Sequence, residues 1–238
     1  MLRRRRMIRL KRALRHMTPK HVVKSRVTRG TIEKFADKVG LIFFGYVDQK
    51  DDDHRLVRGH TVSSTHIDKN YCVGSIRGYD VSLVSRNDVV ISKDMKREIR
   101  CHWLIVTVDL KAKIDVPHLY IGHNSRKSVF ASSFERLMPL SPHVLSDYPK
   151  SFLDHYVIYG RPTHAAEIGL VFNGQMADVV QSHFKQTSIE IEENCVYLYI
   201  ESEHPSEVLL KKTMSNGLWF AEAIDMRVSQ LIEAGAVR

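Results

Sequence analysis

The sequence predicts an α+β protein: a largely antiparallel sheet, or sheets, of about eight strands with a long C-terminal helix. Three observations carry that reading. β-rich runs flank Arg77-Gly78 and again Glu193-Asn194, each pair with the pattern of a hairpin. Apolar runs such as LIFFGYV from Leu41 and WLIVTV from Trp103 are strand-sized, well short of the roughly 18–20 residues that span a bilayer as a helix. Between about Pro205 and Ala234, apolar residues keep the 4-3-4-3 spacing of one helix face.

The chain opens with MLRRRRMIRLKRALRHM, in which Met7, Leu10, Leu14 and Met17 share one helical face. Arg3, Arg4, Arg5, Arg6, Arg9, Lys11, Arg12 and Arg15 surround it. Residues 1–29 read as a basic tail, either disordered or an amphipathic helix, and Thr18-Pro19 offers a stop. The formal charge of the chain is +9, yet the first thirty residues alone hold twelve Lys and Arg and no acid. The rest, 24 basic against 27 acidic side chains, is mildly acidic. The high isoelectric point belongs to the tail.

From Gly30 to residue 138 the pattern is that of a first α+β lobe. GTIEKFADKVG predicts a short helix with Thr31 as its N-cap and Gly40 as its C-cap. LIFFGYV predicts a buried strand, and LVRGHTVSSTHI a weakly alternating extended stretch. YCVGSIRGYDVSLVSR is the first hairpin; HWLIVTVDL and PHLYIGH are two further strands. SVFASSFERLM predicts a short helix with Val129, Phe130, Phe134 and Leu137 inward. Residues 139–150 are proline-rich, hence irregular, and mark the boundary if the chain forms two similar-sized lobes.

Residues 151–238 form the second lobe. FLDHYVIYG predicts a strand, and residues 163–184 a helical segment interrupted at Asn173-Gly174. TSIEIEENCVYLYIES is the second hairpin. In the final helix Leu210, Met214, Gly217, Ala221, Ile224, Val228 and Leu231 make one seam, for core packing or for a homodimer. Asn216-Gly217 is the point where that helix could break.

The most chemically loaded stretch is GYVDQKDDDHRLVRGHTVSSTH, residues 45–66. It fails as an EF-hand: counted from Asp48, the sixth position is Asp53 and glycine arrives only at Gly59. His54, His60 and His66 are six apart, which in an extended chain separates neighbours by about 20 Å. A solvated loop is the plain reading; a divalent-metal or acid/base site of Asp51, Asp53, His54 and His60 is the alternative. A second candidate is IGHNSRKSVF, where Asn124, Ser125, Arg126, Lys127 and Ser128 stand at a strand-to-helix junction suited to an anion. It lacks the second glycine of a P-loop.

No G-x-S-x-G, H-E-x-x-H or C-x-x-C occurs, and no cofactor is expected. Cys101 and His102 are neighbours on one strand and should face opposite ways. His118 and His155 read as half-buried strand residues. Cys72, Cys101 and Cys195 are widely separated in apolar runs, as buried thiols of a reducing compartment would be.

GLIFFGYVDQKDDDHRLVRGHTVSSTH, GYDVSLVSR, HWLIVTVDL, VPHLYIGHN and NGLWFAEAID together resemble a group of uncharacterised proteins from Saccharibacteria-type bacteria. The resemblance runs from about residue 30 onward. It implies a bacterial protein that is cytoplasmic or peripheral to the inner face of the membrane, and carries no activity. The expected role is a non-enzymatic binding or scaffolding domain with a protein or small-molecule partner. Residues 1–29 would tether it to an anionic lipid surface. Nucleic-acid binding through the same tail is one alternative, and an enzyme using the Asp/His loop or the anion-binding turn is another.

Overall fold

The computed structural model describes residues 19–46, 66–91, 98–124 and 137–236. Helix α1 (Pro19–Val39) leads into strand β1 (Ile42–Gly45), followed by β2 (Ile67–Ile76), β3 (Tyr79–Ile91), β4 (Glu98–Asp109), β5 (Leu119–His123) and the two-residue β6 (Met138–Pro139). After turns through residues 141–148 come α2 (Lys150–Leu153), β7 (Tyr156–Gly160) and a 3₁₀ turn (Pro162–His164). Helices α3 (Ala165–Val171) and α4 (Gly174–His183), strands β8 (Ser188–Glu192) and β9 (Cys195–Glu201) and helix α5 (Glu207–Glu233) complete the chain.

The nine strands form one antiparallel sheet in the order β1-β2-β3-β4-β9-β8-β5-β7-β6. Strands from both sides of residues 139–150 belong to it, joined where β4 pairs with β9. Both hairpins turn where the sequence places them. Arg77 and Gly78 have φ of 54° and 75°, Glu193 and Asn194 of 49° and 54°. These two-residue turns have positive φ at both positions, the twist that continues two antiparallel strands.

Alternation divides the sheet into two faces. One presents Val81, Leu83, Leu104, Val106, Val108, Ile189, Ile191, Val196 and Leu198, all buried in the main core with α1, α3, α4 and α5. Helix α5 lies across β4 and β9, and every residue of its 4-3-4-3 seam is buried. A Cβ at Gly217 would come 3.2 Å from Val108 Cγ2 and 3.5 Å from Val106 Cγ1, so glycine sets how near helix and sheet approach. The seam is therefore core, and α5 runs unbroken through Asn216-Gly217. Its N-cap is Ser206, whose Oγ accepts from Leu209 N.

Four local expectations change. Helix α1 begins well before Gly30, and Thr31 lies inside it, its hydroxyl donating to Val27 O at 3.0 Å rather than capping. Gly30 is tolerated mid-helix because the helix is fixed by tertiary contacts: Ile32, Phe35 and Ala36 are buried, and Thr28 Oγ1 lies 2.8 Å from His204 Nδ1. Gly40 does end the helix, at φ 79°. Strand β1 is not buried but is the sheet edge, with Ile42 62% and Phe44 43% exposed. The expected strand at 152–160 starts as the helical turn α2, Phe152 being packed under Tyr148 and Phe172. Met138 pairs in β6 rather than ending a helix. The helical segment at 163–184 is interrupted where expected, with Asn173 Oδ1 capping α4 by accepting from Met176 N.

Candidate functional site

The other face of the sheet is chemically unlike the first. Tyr71, Val84, Cys101, Trp103, Ile105, Tyr120, Tyr159, Cys195, Tyr197 and Tyr199 form a separate, tyrosine-rich cluster. The same parity places Asp68, Ser82, Arg86, Asp88, Thr107, Ser188 and Glu190 among them, all buried. Across β2 and β3, Arg86 grips Asp68 with two bonds, Nε to Oδ1 at 2.6 Å and Nη2 to Oδ2 at 2.7 Å. Across β3 and β4, the Ser82 and Thr107 hydroxyls are 2.6 Å apart.

At the end of this face that carries the Arg77-Gly78 turn, a cleft of about 430 Å³ opens. Tyr71 and Tyr197 are its aromatic walls, Ser75, Ser82 and Thr107 its hydroxyls, and Asp80 and Asp109 its carboxylates. Burial, and then the neighbouring Cys195, Glu190 and Glu192, push the Tyr197 phenol well up. It therefore stays a hydrogen-bond donor at neutral pH. The volume and the mixture of aromatic surface with a few polar groups are those of a small-molecule site.

Beside the cleft a three-residue cluster comes together from β8 and the residue that precedes β5. Glu190 and Glu192 are two apart on β8 and so share a face. Their register partners on β9 are Tyr197 and Cys195, both in the cleft wall. His118 stands just before β5, whose Leu119 pairs with Ile191. Its approach is held by Asn194: Oδ1 accepts from Val116 N at 2.8 Å, and Nδ2 donates to Ile114 O at 3.0 Å. His118 Nε2 lies 3.0 Å from Glu190 Oε1, and Nδ1 3.9 Å from Glu192 Oε1. Glu190 is fully buried, and its Oε2 accepts from the Tyr199 hydroxyl at 2.7 Å. One donor atom from each of the three lies within 4.8 Å of the others. A second groove, between Tyr79, Lys111 and α5, is already committed: the Asp225 carboxylate accepts from Tyr79 Oη and Lys111 N.

Asp51, Asp53, His54 and His60 lie outside the described residues, as do Ser125, Arg126, Lys127 and Ser128, the basic residues 3–15, and the helix expected from Val129. Asn124 is described, and its donors are turned to backbone: N donates to His155 O at 2.8 Å and Nδ2 to Asp154 O at 2.9 Å. Cys101 and His102 do face opposite ways, His102 Nδ1 lying 2.7 Å from Asn87 Oδ1. His155 is an exposed turn residue rather than a strand residue. His118 is half-buried at the foot of β5, where it joins the two glutamates. The sequence carried a signal for that cluster, Glu190-x-Glu192 on an amphipathic strand, but nothing to show that residue 118 would sit opposite.

No protein-family model matches the chain, and no curated protein matches it in sequence. The fold does recur: the crystal structure of the mycobacterial trehalose monomycolate transport factor A, TtfA, superposes with a TM-score of 0.54 at 10% identity. The match covers 85% of this chain and 95% of that one. The likeness is one of fold. No helix among the described residues is long and apolar enough to cross a membrane.

Proposed function

We propose that this chain is a non-enzymatic binding domain whose sheet-face cleft takes a small amphipathic molecule bearing several hydroxyls. Residues 1–29 would hold it at an anionic surface on the cytoplasmic side of the membrane. The cleft carries this reading. Tyr71 and Tyr197 offer flat apolar surface of the kind that stacks on a sugar ring, while Asp80, Asp109, Ser82 and Thr107 offer acceptors and donors for hydroxyl groups. A protein of the same fold is a trehalose monomycolate transport factor, and trehalose monomycolate joins a hydroxyl-rich sugar to a lipid. Cys72, Cys101 and Cys195 are all free thiols, as suits a reducing compartment.

The test is saturation-transfer NMR on the full chain with hexyl glucoside, with hexanol for comparison, in wild type and Ser75→Trp. Ser75 is an exposed residue of the cleft lining, so an indole there fills the cleft without entering the core. Transfer to the sugar protons that disappears in the variant supports the reading. No transfer, or equal transfer in Ser75→Trp, overturns it.

A further inference from the structure

We propose that His118, Glu190 and Glu192 form a site for one first-row divalent cation, Zn²⁺ foremost, in the sheet wall beside the cleft. The proposal does not depend on what the cleft holds. One imidazole nitrogen and two carboxylate oxygens make a mixed donor set that suits zinc or manganese better than the all-oxygen shells of magnesium or calcium. The donor atoms already stand within 4.8 Å of one another.

The three side chains stand near enough for one ion, but Glu190 faces His118 Nε2 and Glu192 faces Nδ1, so binding at Nε2 requires Glu192 to swing round to that side of the ring. Metal–ligand bonds of about 2.1 Å to two atoms 3.0 Å apart, as His118 Nε2 and Glu190 Oε1 are, subtend about 90° at the ion. That is the angle of an octahedral site; the roughly 109° of tetrahedral zinc requires the two atoms to open to about 3.4 Å. An ion bound by Glu190 Oε1 in monodentate fashion would replace the present contact between Oε1 and His118 Nε2. The Tyr199 hydroxyl orients Glu190 by donating to Oε2 at 2.7 Å. Such outer hydrogen bonds orient ligands and raise affinity. Glu192 is the adjustable member. Its side chain is 14% exposed, against 0% for Glu190, and rotation about its own bonds brings an oxygen to the ion. His118 and Glu192 are thus the accessible side of the site and Glu190 its floor. Three protein ligands leave at least one position for water or for a ligand group reaching over from the cleft.

The experiment is calorimetric titration of the tag-free, chelator-stripped full chain with ZnCl₂, and with CoCl₂ while recording visible absorption. The variants are Glu192→Gln, His118→Gln, Tyr199→Phe and the double variant His54→Ala/His60→Ala. The expected result is one equivalent bound with a cobalt d–d band. Affinity should fall at least tenfold in Glu192→Gln and further in His118→Gln. Tyr199→Phe should cost about 10–100-fold, as outer-shell losses do. The His54/His60 double variant should bind as wild type does. Binding untouched by Glu192→Gln and His118→Gln, binding lost with His54 and His60, or no binding at all each overturns the proposal. In the last case His118 is simply an imidazole bridging two carboxylates. Glu192 is near the surface, so Glu192→Gln gives a decisive answer even where a deeper variant misfolds.

Discussion

Replacing Arg86 by methionine tests how dry the tyrosine-rich face is. Arg86 and Asp68 face each other directly across β2 and β3, with side chains 0% and 5% exposed and two short, charge-assisted bonds between them. Removing the guanidinium leaves a carboxylate in a site from which water is nearly excluded. Hydrogen bonds to charged groups are worth about 1.5–3 kcal/mol each, and breaking a buried ion pair from one side costs roughly 3–5 kcal/mol. Against a total of about 5–15 kcal/mol for a folded domain, that loss is large. Asp68→Leu alone should cost a similar amount, by removing both bonds of the carboxylate to the buried guanidinium. The double variant Asp68→Leu/Arg86→Met removes both charges together, and should lie near wild type or above it. Denaturant unfolding of the four proteins gives the coupling between the sites directly. Single-variant losses below about 1 kcal/mol, the value of a solvated surface pair, would refute the claim that this face is dry.

Four shorter predictions accompany it. Gly217→Leu drives a side chain into Val106 and Val108 and should cost about 1–3 kcal/mol from overpacking, read as a lower denaturation midpoint with no change in oligomeric state. Gly174→Ala places a Cβ against the Asp147 backbone, with Asp147 C at 3.1 Å. A carbonyl cannot swing aside as a side chain can, so a comparable loss is expected in the same assay. Burial raises the Cys72 thiol from 9.0 to about 12 in the folded chain. A group with a raised folded pKa stabilises fully below its unfolded value, and that stability is lost as pH climbs from 9 towards 12, by at most about 1.4 kcal/mol per unit; midpoints measured across that range should fall more steeply in wild type than in Cys72→Ala. Deleting residues 1–18 should leave the melting temperature unchanged and abolish salt-sensitive sedimentation with anionic liposomes. Deleting 1–29 should also lower the melting temperature, because it removes half of α1 and the Thr28–His204 contact.

The parts of this fold legible in sequence are those decided locally. Arg77-Gly78 and Glu193-Asn194 specify their turns by which residues accept positive φ, and the seam of α5 is set by period alone. The start of α1 was not legible because it runs through Gly30 on tertiary support, against local propensity. Strand β1 misled because an apolar run reads as buried whether it ends at the centre or at the edge of a sheet. The candidate site was the least legible. His118 and Glu190 are 72 positions apart, and among the described residues the chain between them supplies β5, β6, β7 and three helices before returning. Nothing in the local spacing records that return.

The two faces of the sheet show where function and folding part company. The buried centre of the helix-covered face, from Val81, Leu83, Leu104, Val106 and Val108 to Ile189, Ile191, Val196 and Leu198, is aliphatic, and its polar residues, Ser85, Asn87 and His102, stand together at one end. The opposite face buries Asp68, Arg86, Asp88 and Glu190 alongside hydroxyls. Buried charge is an expensive way to hold a sheet, since hydrophobic residues of similar volume usually serve as well or better. Polar groups at such cost are candidates for chemistry or recognition, structural ion-pair networks being the other use of buried charge. Here Ser82, Thr107, Tyr197 and Glu190 fall in register as one band across β3, β4, β9 and β8, with His118 beyond Glu190 and the cleft and proposed cation site along it. The Asp68–Arg86 pair stands apart from the band, across Val84, Ile105 and Trp103. The band predicts its own asymmetry. Aliphatic replacement of Ser82 together with Thr107, which are bonded to each other, should leave stability near wild type while abolishing ligand binding in the cleft. A matched loss of both would make the band structural, and the cleft incidental to it.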